Sequence, residues 1–264
     1  MSYTLITGGS SGIGLELAKL FAQDGKNLIL IGRNQTKLEQ AKYLIRSRNS
    51  YIEIQTFTCD LSKIDDLIGL YTHHIQDQFE IEILVNNAGF SNSGSQFQTD
   101  LQDEIKMLHT NIHALVVLTK LVLPQMVRRK KGKILNVASV AAFQPLPYQA
   151  TYGGAKAFVL SYSQALRNEL KGSGITVTTL CPGPVDTNFF DVAKITPTNL
   201  VKANMMAAEK VAQIGYQALR QNRGVVVTSW KFSLMSYVSK LLPSSLTAEL
   251  AKKVIGVSKQ RVDQ

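Results

Sequence analysis

The sequence predicts an α/β protein: one domain, residues 1–264, on a doubly wound parallel sheet of about seven strands with helices on both faces. Three observations predict it. Short apolar runs recur along the chain, bounded by turn residues, as in strands buried on both faces. Longer stretches between them carry apolar residues at three- and four-residue spacing, the pattern of helices with one buried side. No internal repeat, low-complexity tract or linker breaks this alternation. Strand–helix–strand units of this kind join parallel strands by right-handed crossovers.

Residues 3–7 form the first strand, and residues 12–24 a helix with Leu15, Leu17, Ala18, Leu20 and Phe21 on its apolar side. Residues 28–31 are a second buried strand, followed by a helix over 35–48. Residues 52–58 alternate as a third strand and run into Cys59, Asp60 and Leu61. A helix over 64–78 and a fourth strand over 81–85 follow. A long helix covers roughly 101–129, then come a fifth strand (133–137), a helix (151–171) and a sixth strand (175–180). A helix over 210–220 and a short last strand over 225–228 complete the alternation.

Composition narrows the functional classes. With 45% hydrophobic residues the chain is not disordered. Cys59 and Cys181 are too few for a secreted disulfide framework or a multi-cysteine zinc site, and they fit a reducing compartment. The N-terminus has no basic flank or cleavage site of a signal peptide. The longest apolar run, residues 112–127, is interrupted by Lys120 and Pro124 and is short of a spanning helix. A cytoplasmic location is the expectation. Lys and Arg total 29 against 19 Asp and Glu, a net charge of +10. Part of that excess, Arg128–Lys131, reads as a cationic helix end favoured by the helix dipole rather than a nucleic-acid patch.

The segment Thr7-Gly8-Gly9-Ser10-Ser11-Gly12-Ile13-Gly14 joins the first strand to the first helix. Glycines let a backbone turn tightly and approach a phosphate, and free amides at a helix start hold the anion. The spacing differs from G-x-G-x-x-G: Gly8 is followed by Gly12 and then Gly14. At the end of the second strand stand Gly32, Arg33 and Asn34, with no Asp or Glu at that turn. An acid there holds ribose hydroxyls in dinucleotide folds, whereas an Arg accommodates a 2′-phosphate. Arg33 therefore predicts NADP(H).

Tyr152 and Lys156 are four apart at a helix start, so they share a face. A neighbouring ammonium favours a phenolate, and such a pair serves as an acid–base unit. Ser139 follows the fifth strand, where a side chain at the C-terminal end of a parallel strand points into the ligand crevice.

Together these motifs resemble the short-chain dehydrogenase/reductase family over roughly residues 3–228. The match comprises Thr7-Gly8-x-x-x-Gly12-x-Gly14, Asp60, Asn86-Asn87-Ala88-Gly89, Asn111, Ser139, Tyr152-x-x-x-Lys156 and Pro182-Gly183-x-Val185-x-Thr187. The resemblance implies a Rossmann-like fold and an NADP-dependent carbonyl (keto or aldehyde) reductase acting on a small-molecule carbonyl or alcohol. The alternative is a catalytically silent NADP-binding regulatory or scaffold protein. It implies that Gly8, Ser10, Ser11, Gly12, Ile13 and Gly14 line the pyrophosphate and ribose. Asp60 and Leu61 would bracket the adenine, and Asn87, Ala88 and Gly89 would support the adenosine side. Pro182, Gly183, Val185 and Thr187 would hold the nicotinamide. Tyr152 would be the acid–base, Lys156 would bind ribose and depress the tyrosine pKa, Ser139 would polarise the carbonyl, and Asn111 would hold a relay water by interrupting its helix. A homodimer or homotetramer through the two long helices is also implied. Gly153 and Gly154 depart from the Ser or Ala frequent in the family and point to a softer helix start or a close neighbour.

His109 and His113, four apart, lack a third ligand nearby and are read as helix-face residues, with no metal expected. Cys181 reads as a small buried residue. Residues 188–206, with Phe189, Phe190 and Ile195, form the expected substrate lid and point to an apolar or long-chain substrate. Residues 229–264 form a helical extension. Trp230, Leu234, Tyr237, Val238, Leu241 and Leu242 recur there at helical spacing. It reads as a cover over the cleft or a partner subunit, with a membrane-surface helix as the alternative.

Overall fold

Seven apolar runs pair into one sheet in the computed structural model, which describes residues 1–193 and 195–255. Strands β1 (Ser2–Thr7), β2 (Asn27–Gly32), β3 (Ile54–Thr58), β4 (Glu80–Asn86), β5 (Gly132–Val137) and β6 (Ile175–Cys181) lie in the order β3-β2-β1-β4-β5-β6. Strand β9 (Val225–Val227) closes the β6 edge, and every neighbouring pair is parallel. The long apolar runs are explained by burial on both faces. In β2, Leu28 and Leu30 join the core under α1 (Gly12–Gln23), α2 (Gln35–Arg46) and α9 (Ala208–Arg220). Ile29 and Ile31 point the other way, into the core under α3 (Ile64–His74), α5 (Ala114–Arg129) and α6 (Ala150–Glu169). Successive strand residues face opposite sides, so neither could be polar. Each such fully buried side chain contributes roughly 1.5–3 kcal/mol.

The helix expected over 101–129 is continuous but not uniform. It runs as α4 (Leu101–Leu108), a π-helical turn (His109–His113) and α5. By length and composition this segment is apolar enough to cross a membrane, which the count of uninterrupted apolar residues did not anticipate. Ala114, Leu118, Val122 and Met126 nevertheless pack into the sheet core. The sequence pattern did not show the short elements after β6. These are β7 (Val185–Asp186), α7 (Phe189–Val192), α8 (Asn199–Ala203) and β8 (Met206–Ala207), with β7 and β8 forming a separate small pair. Two helices end the described chain, α10 (Trp230–Leu241) and α11 (Ser244–Ile255). The last part of the expected extension, 256–264, lies outside the described residues.

Strand order reverses at β1: β2 and β3 lie on one side, β4 to β6 on the other. The loops leaving the C-terminal ends of β1 and β4 therefore diverge. Such a switch point opens a crevice at the carboxyl edge of the sheet.

Candidate active site

A cavity of about 940 Å³ occupies that crevice. Its floor is the loop between β1 and α1. Gly8 and Gly12 have φ of +66° and +53°, conformations that glycine adopts without strain. Ser11 is the N-cap of α1 and makes no side-chain cap hydrogen bond, so the first amides of a three-turn helix are left for an anion. Gly14 does not line the cavity; it packs beneath the loop. A Cβ there would drive into the Gly8 carbonyl oxygen and lie 2.5 Å from Asn87 Nδ2. Gly14→Ala is expected to lower both the melting temperature and the affinity for a nicotinamide dinucleotide, read by thermal unfolding and fluorescence titration. Wild-type values for both would contradict this packing.

Asn87 stitches the two sides of the crevice together. Its Nδ2 donates to Thr7 O at 2.9 Å and Gly8 O at 3.3 Å. The amides of Asn87 and Ala88 donate to Thr7 Oγ1 at 3.0 and 3.1 Å. Opposite, Thr187 comes over the glycine loop, where its Cγ2 would be 3.2 Å from a Cβ on Gly12.

At the β2 end, Asn34 caps α2 by accepting from Lys37 N at 2.9 Å, an arrangement worth about 1 kcal/mol. The cap fixes where the chain turns and leaves Arg33 exposed at the cavity wall, its guanidinium 5.9 Å from the Phe90 ring centre. Asp60 and Leu61 line the same end. Burial pushes the Asp60 carboxyl up, but hydrogen bonds from the Ser62 amide and hydroxyl, aided by the charges of Arg33 and Lys63, outweigh it and hold the group below its ordinary value.

The reactive end is built on β5 and α6. Ser139 follows β5 and caps the 3₁₀ turn Val140–Phe143, its Oγ accepting from Ala141 N at 3.1 Å. Tyr152 and Lys156, in the first turns of α6, are buried. The Tyr152 hydroxyl lies beside Ser139, which works against the effect of burial on its pKa. Lys156 Nζ donates to Val137 O at 3.0 Å and sits 5.7 Å from the Tyr152 ring centre. Helix α6 is moored by a buried chain: Asn86 Nδ2 donates to Asn136 Oδ1 (2.9 Å), and Asn136 Nδ2 to Ser163 Oγ (2.8 Å). The glycine pair has a partial explanation. A Cβ on Gly153 would lie 3.0 Å from Leu146 Cβ, whereas Gly154 faces open space.

Two sequence expectations change. Lys156 does not dominate the tyrosine: burial pushes the Tyr152 phenol up to about 12, opposed by Ser139 beside it. The same burial brings the Lys156 ammonium down to about 8. Desolvation dominates both groups, and the lysine's proton is directed at Val137 O. Asn111 does sit in a helix interruption, but its side chain is buried away from the cavity lining. Its Oδ1 accepts from Phe90 N (3.1 Å) and its Nδ2 donates to Phe90 O (2.8 Å), so it holds the loop after β4 in place.

Gly8, Ser10, Ser11, Gly12, Ile13, Ala88, Gly89, Pro182, Gly183, Val185 and Thr187 all line the cavity. Sequence reasoning missed Phe90, Leu146, Gln149, Phe232 and Met235, which line it too. Gln149 is held by donating to Ser91 Oγ at 3.0 Å, and Phe232 covers Gly183, its Cε2 2.6 Å from where a Cβ would stand. Its place three residues before Tyr152 was the only signal for Gln149. His109 Nδ1 lies 2.9 Å from Ser62 O and its ring centre lies 4.8 Å from that of His113, the two rings tilted by 34°. Among the described residues no group of three or more His, Cys, Asp or Glu could hold a metal. Burial raises the Cys181 thiol to about 12, which keeps it unreactive near neutral pH.

A dinucleotide cradle opening onto a buried tyrosine beside a half-buried serine defines an oxidoreductase that uses a nicotinamide cofactor. The family model of short chain dehydrogenases matches residues 2–198. The very-long-chain 3-oxoacyl-CoA reductase of Mus musculus is 33% identical over 247 residues, covering 91% of this chain and 75% of that one. The very-long-chain 3-oxoacyl-CoA reductase-B of Danio rerio is 33% identical over 97% of this chain and 79% of its own. Among solved structures, a short-chain dehydrogenase from Sphingobium yanoikuyae in complex with NADPH superposes with a TM-score of 0.80 at 28% identity, covering 91% and 94% of the two chains. A bulky-bulky ketone specific alcohol dehydrogenase from Comamonas testosteroni gives 0.77 at 27% identity, over 91% and 92%. The chain belongs to the short-chain dehydrogenase/reductase family and acts on CH–OH and C=O groups.

Proposed function

We propose that this protein reduces a ketone on a long or bulky apolar molecule with NADPH. The observation that carries the reading is buried Tyr152 set beside half-buried Ser139 in the wall of a cavity whose substrate end is apolar. Phe90, Leu146, Phe189, Ile195, Phe232 and Met235 supply that surface.

The residues present fit the cofactor. The uncapped start of α1 offers amides to the pyrophosphate together with Ser10 and Ser11. Arg33 offers a planar donor fork to a 2′-phosphate, Asp60 and Leu61 flank the adenine, and Pro182, Gly183, Val185 and Thr187 take the nicotinamide end. When bound, NADPH supplies a hydride to the carbonyl carbon. Ser139 and Tyr152 hold the carbonyl oxygen as negative charge grows on it, a contribution larger in the transition state than in the ground state. Tyr152 then gives its proton to that oxygen. Its phenol, at about 12, remains protonated through neutral pH and is always ready to donate. Lys156, protonated below about 8, steadies the phenolate left behind. We also propose that copies pair through α5 and α6, where Val127 and Phe158 are exposed.

The names of the relatives, 3-oxoacyl-CoA reductases and a bulky-ketone dehydrogenase, support the substrate class. The test is NADPH oxidation across 3-oxoacyl thioesters of increasing chain length, bulky ketones and short aldehydes. The expected result is kcat/KM rising with apolar length; a preference for short aldehydes overturns the substrate class.

Arg33 also sets an expectation. A charge-assisted hydrogen bond to phosphate is worth about 1.5–3 kcal/mol, or roughly 10–100-fold in affinity. Arg33→Asp is expected to lose that factor for NADPH and little or none for NADH. Equal losses for both cofactors, measured by fluorescence titration, would remove Arg33 as the phosphate reader.

A further inference from the structure

Helix α10 has two apolar sides. One faces inward, where Phe232 and Met235 line the cavity. The other faces out. Trp230, Leu234, Tyr237 and Leu241 recur every three or four residues, which puts them on one stripe, and they are 73%, 57%, 65% and 86% exposed. None of these four lines the cavity. Large side chains in such a row are not the isolated surface hydrophobics that need no account.

We propose that this outer face of α10 docks the protein on an anionic lipid surface. Charge selects the occupant. Residues 229–264 carry six Lys and Arg against Glu249 and Asp263. Helical spacing puts positions 231 and 240 on either side of the stripe, and both are Lys. An apolar stripe with cationic flanks is the composition of a helix lying in a membrane interface. A second copy of the chain fits poorly. A two-fold contact through α10 would set the same patch, and its cations, against themselves.

The stripe is also continuous with the cavity mouth. Val238 and Leu250 are both exposed and part of the cavity lining. A molecule dissolved in the lipid would reach the cavity along α10 without crossing water. The docking itself does not depend on the catalytic reading.

Trp230 is the sole tryptophan, so the unmodified chain reports on its own docking. Its fluorescence is followed while adding vesicles of phosphatidylcholine and phosphatidylserine (3:1), or of phosphatidylcholine alone. The expected result is a blue shift with the mixed vesicles, on the order of tenfold tighter than with phosphatidylcholine, and weakened by salt. Leu234→Ser/Leu241→Ser is expected to abolish the shift while keeping wild-type NADPH binding and melting temperature. Three results overturn the proposal: no shift with mixed vesicles, an undiminished shift in the double variant, or equal binding to both vesicles. A fourth is emission already blue in buffer that turns red on dilution, which assigns the face to a second copy.

Discussion

Tyr152→Phe is expected to slow carbonyl reduction by about 10²–10⁴-fold, the range for loss of a positioned general acid, with NADPH affinity nearly unchanged. The change removes one oxygen. The ring keeps its packing against Phe189, whose centre lies 5.7 Å away, and α6 keeps its mooring through Asn136 and Ser163. What is lost is the proton and one of the two donors that hold the carbonyl oxygen. Because the phenol is held near 12 by burial, the wild-type acid limb stays flat through neutral pH. Steady-state NADPH oxidation and a separate cofactor titration check both halves. Retained turnover would show that another group supplies the proton.

Lys156→Met is expected to act in opposite directions on activity and stability. Activity falls, because the phenolate formed at Tyr152 loses the buried ammonium beside it. Stability of the unliganded protein rises at pH 7. Burial lowers the Lys156 pKa from 10.5 to about 8, so between those values the unfolded chain binds a proton that the folded chain does not. Stability therefore climbs with pH across that window, and below about 8 the whole penalty is present. A shift of that size corresponds to roughly 3 kcal/mol. The lost hydrogen bond to Val137 O offsets about 1 kcal/mol of it. The variant should thus melt several degrees higher at pH 7, at about 2–4 °C per kcal/mol for a domain of this size. Its advantage should disappear above pH 10.5. A variant that melts lower at pH 7 would mean that the buried amine is held by more than Val137.

The parts of the fold that sequence exposes are those whose cause is local. The run Leu28–Ile31 reads as a doubly buried strand because each of its side chains must find a core, and the four-residue step from Tyr152 to Lys156 reads as one helix face. What stays hidden depends on distant partners. Segment β7 is two residues long and pairs with β8 through contacts such as Met206 N to Pro184 O (3.0 Å). Nothing in its own residues marks it as a strand. Asn111 reads as a helix interruption, but its bonds to Phe90 come from the meeting of two loops. The opposite sense of the Tyr152 shift has the same origin. The adjacent cation is visible in sequence, whereas the burial that outweighs it is created only when α6 closes on β5. Phe232 covers Gly183 from a helix that sequence leaves equally suited to a cleft, a partner or a membrane.

The central claim is that Tyr152, with Ser139 beside it, reduces a carbonyl with NADPH. It is tested most directly by incubating the protein with NADPH deuterated at the nicotinamide C4, as each diastereomer in turn, and a long-chain 3-oxoacyl thioester. Mass spectrometry of the product follows. The account predicts an alcohol carrying one deuterium with one diastereomer and none with the other, formed at least about 10²-fold more slowly by Tyr152→Phe under the same conditions. Tight NADPH binding without labelled alcohol from any carbonyl offered would contradict it and leave a silent cofactor-binding protein.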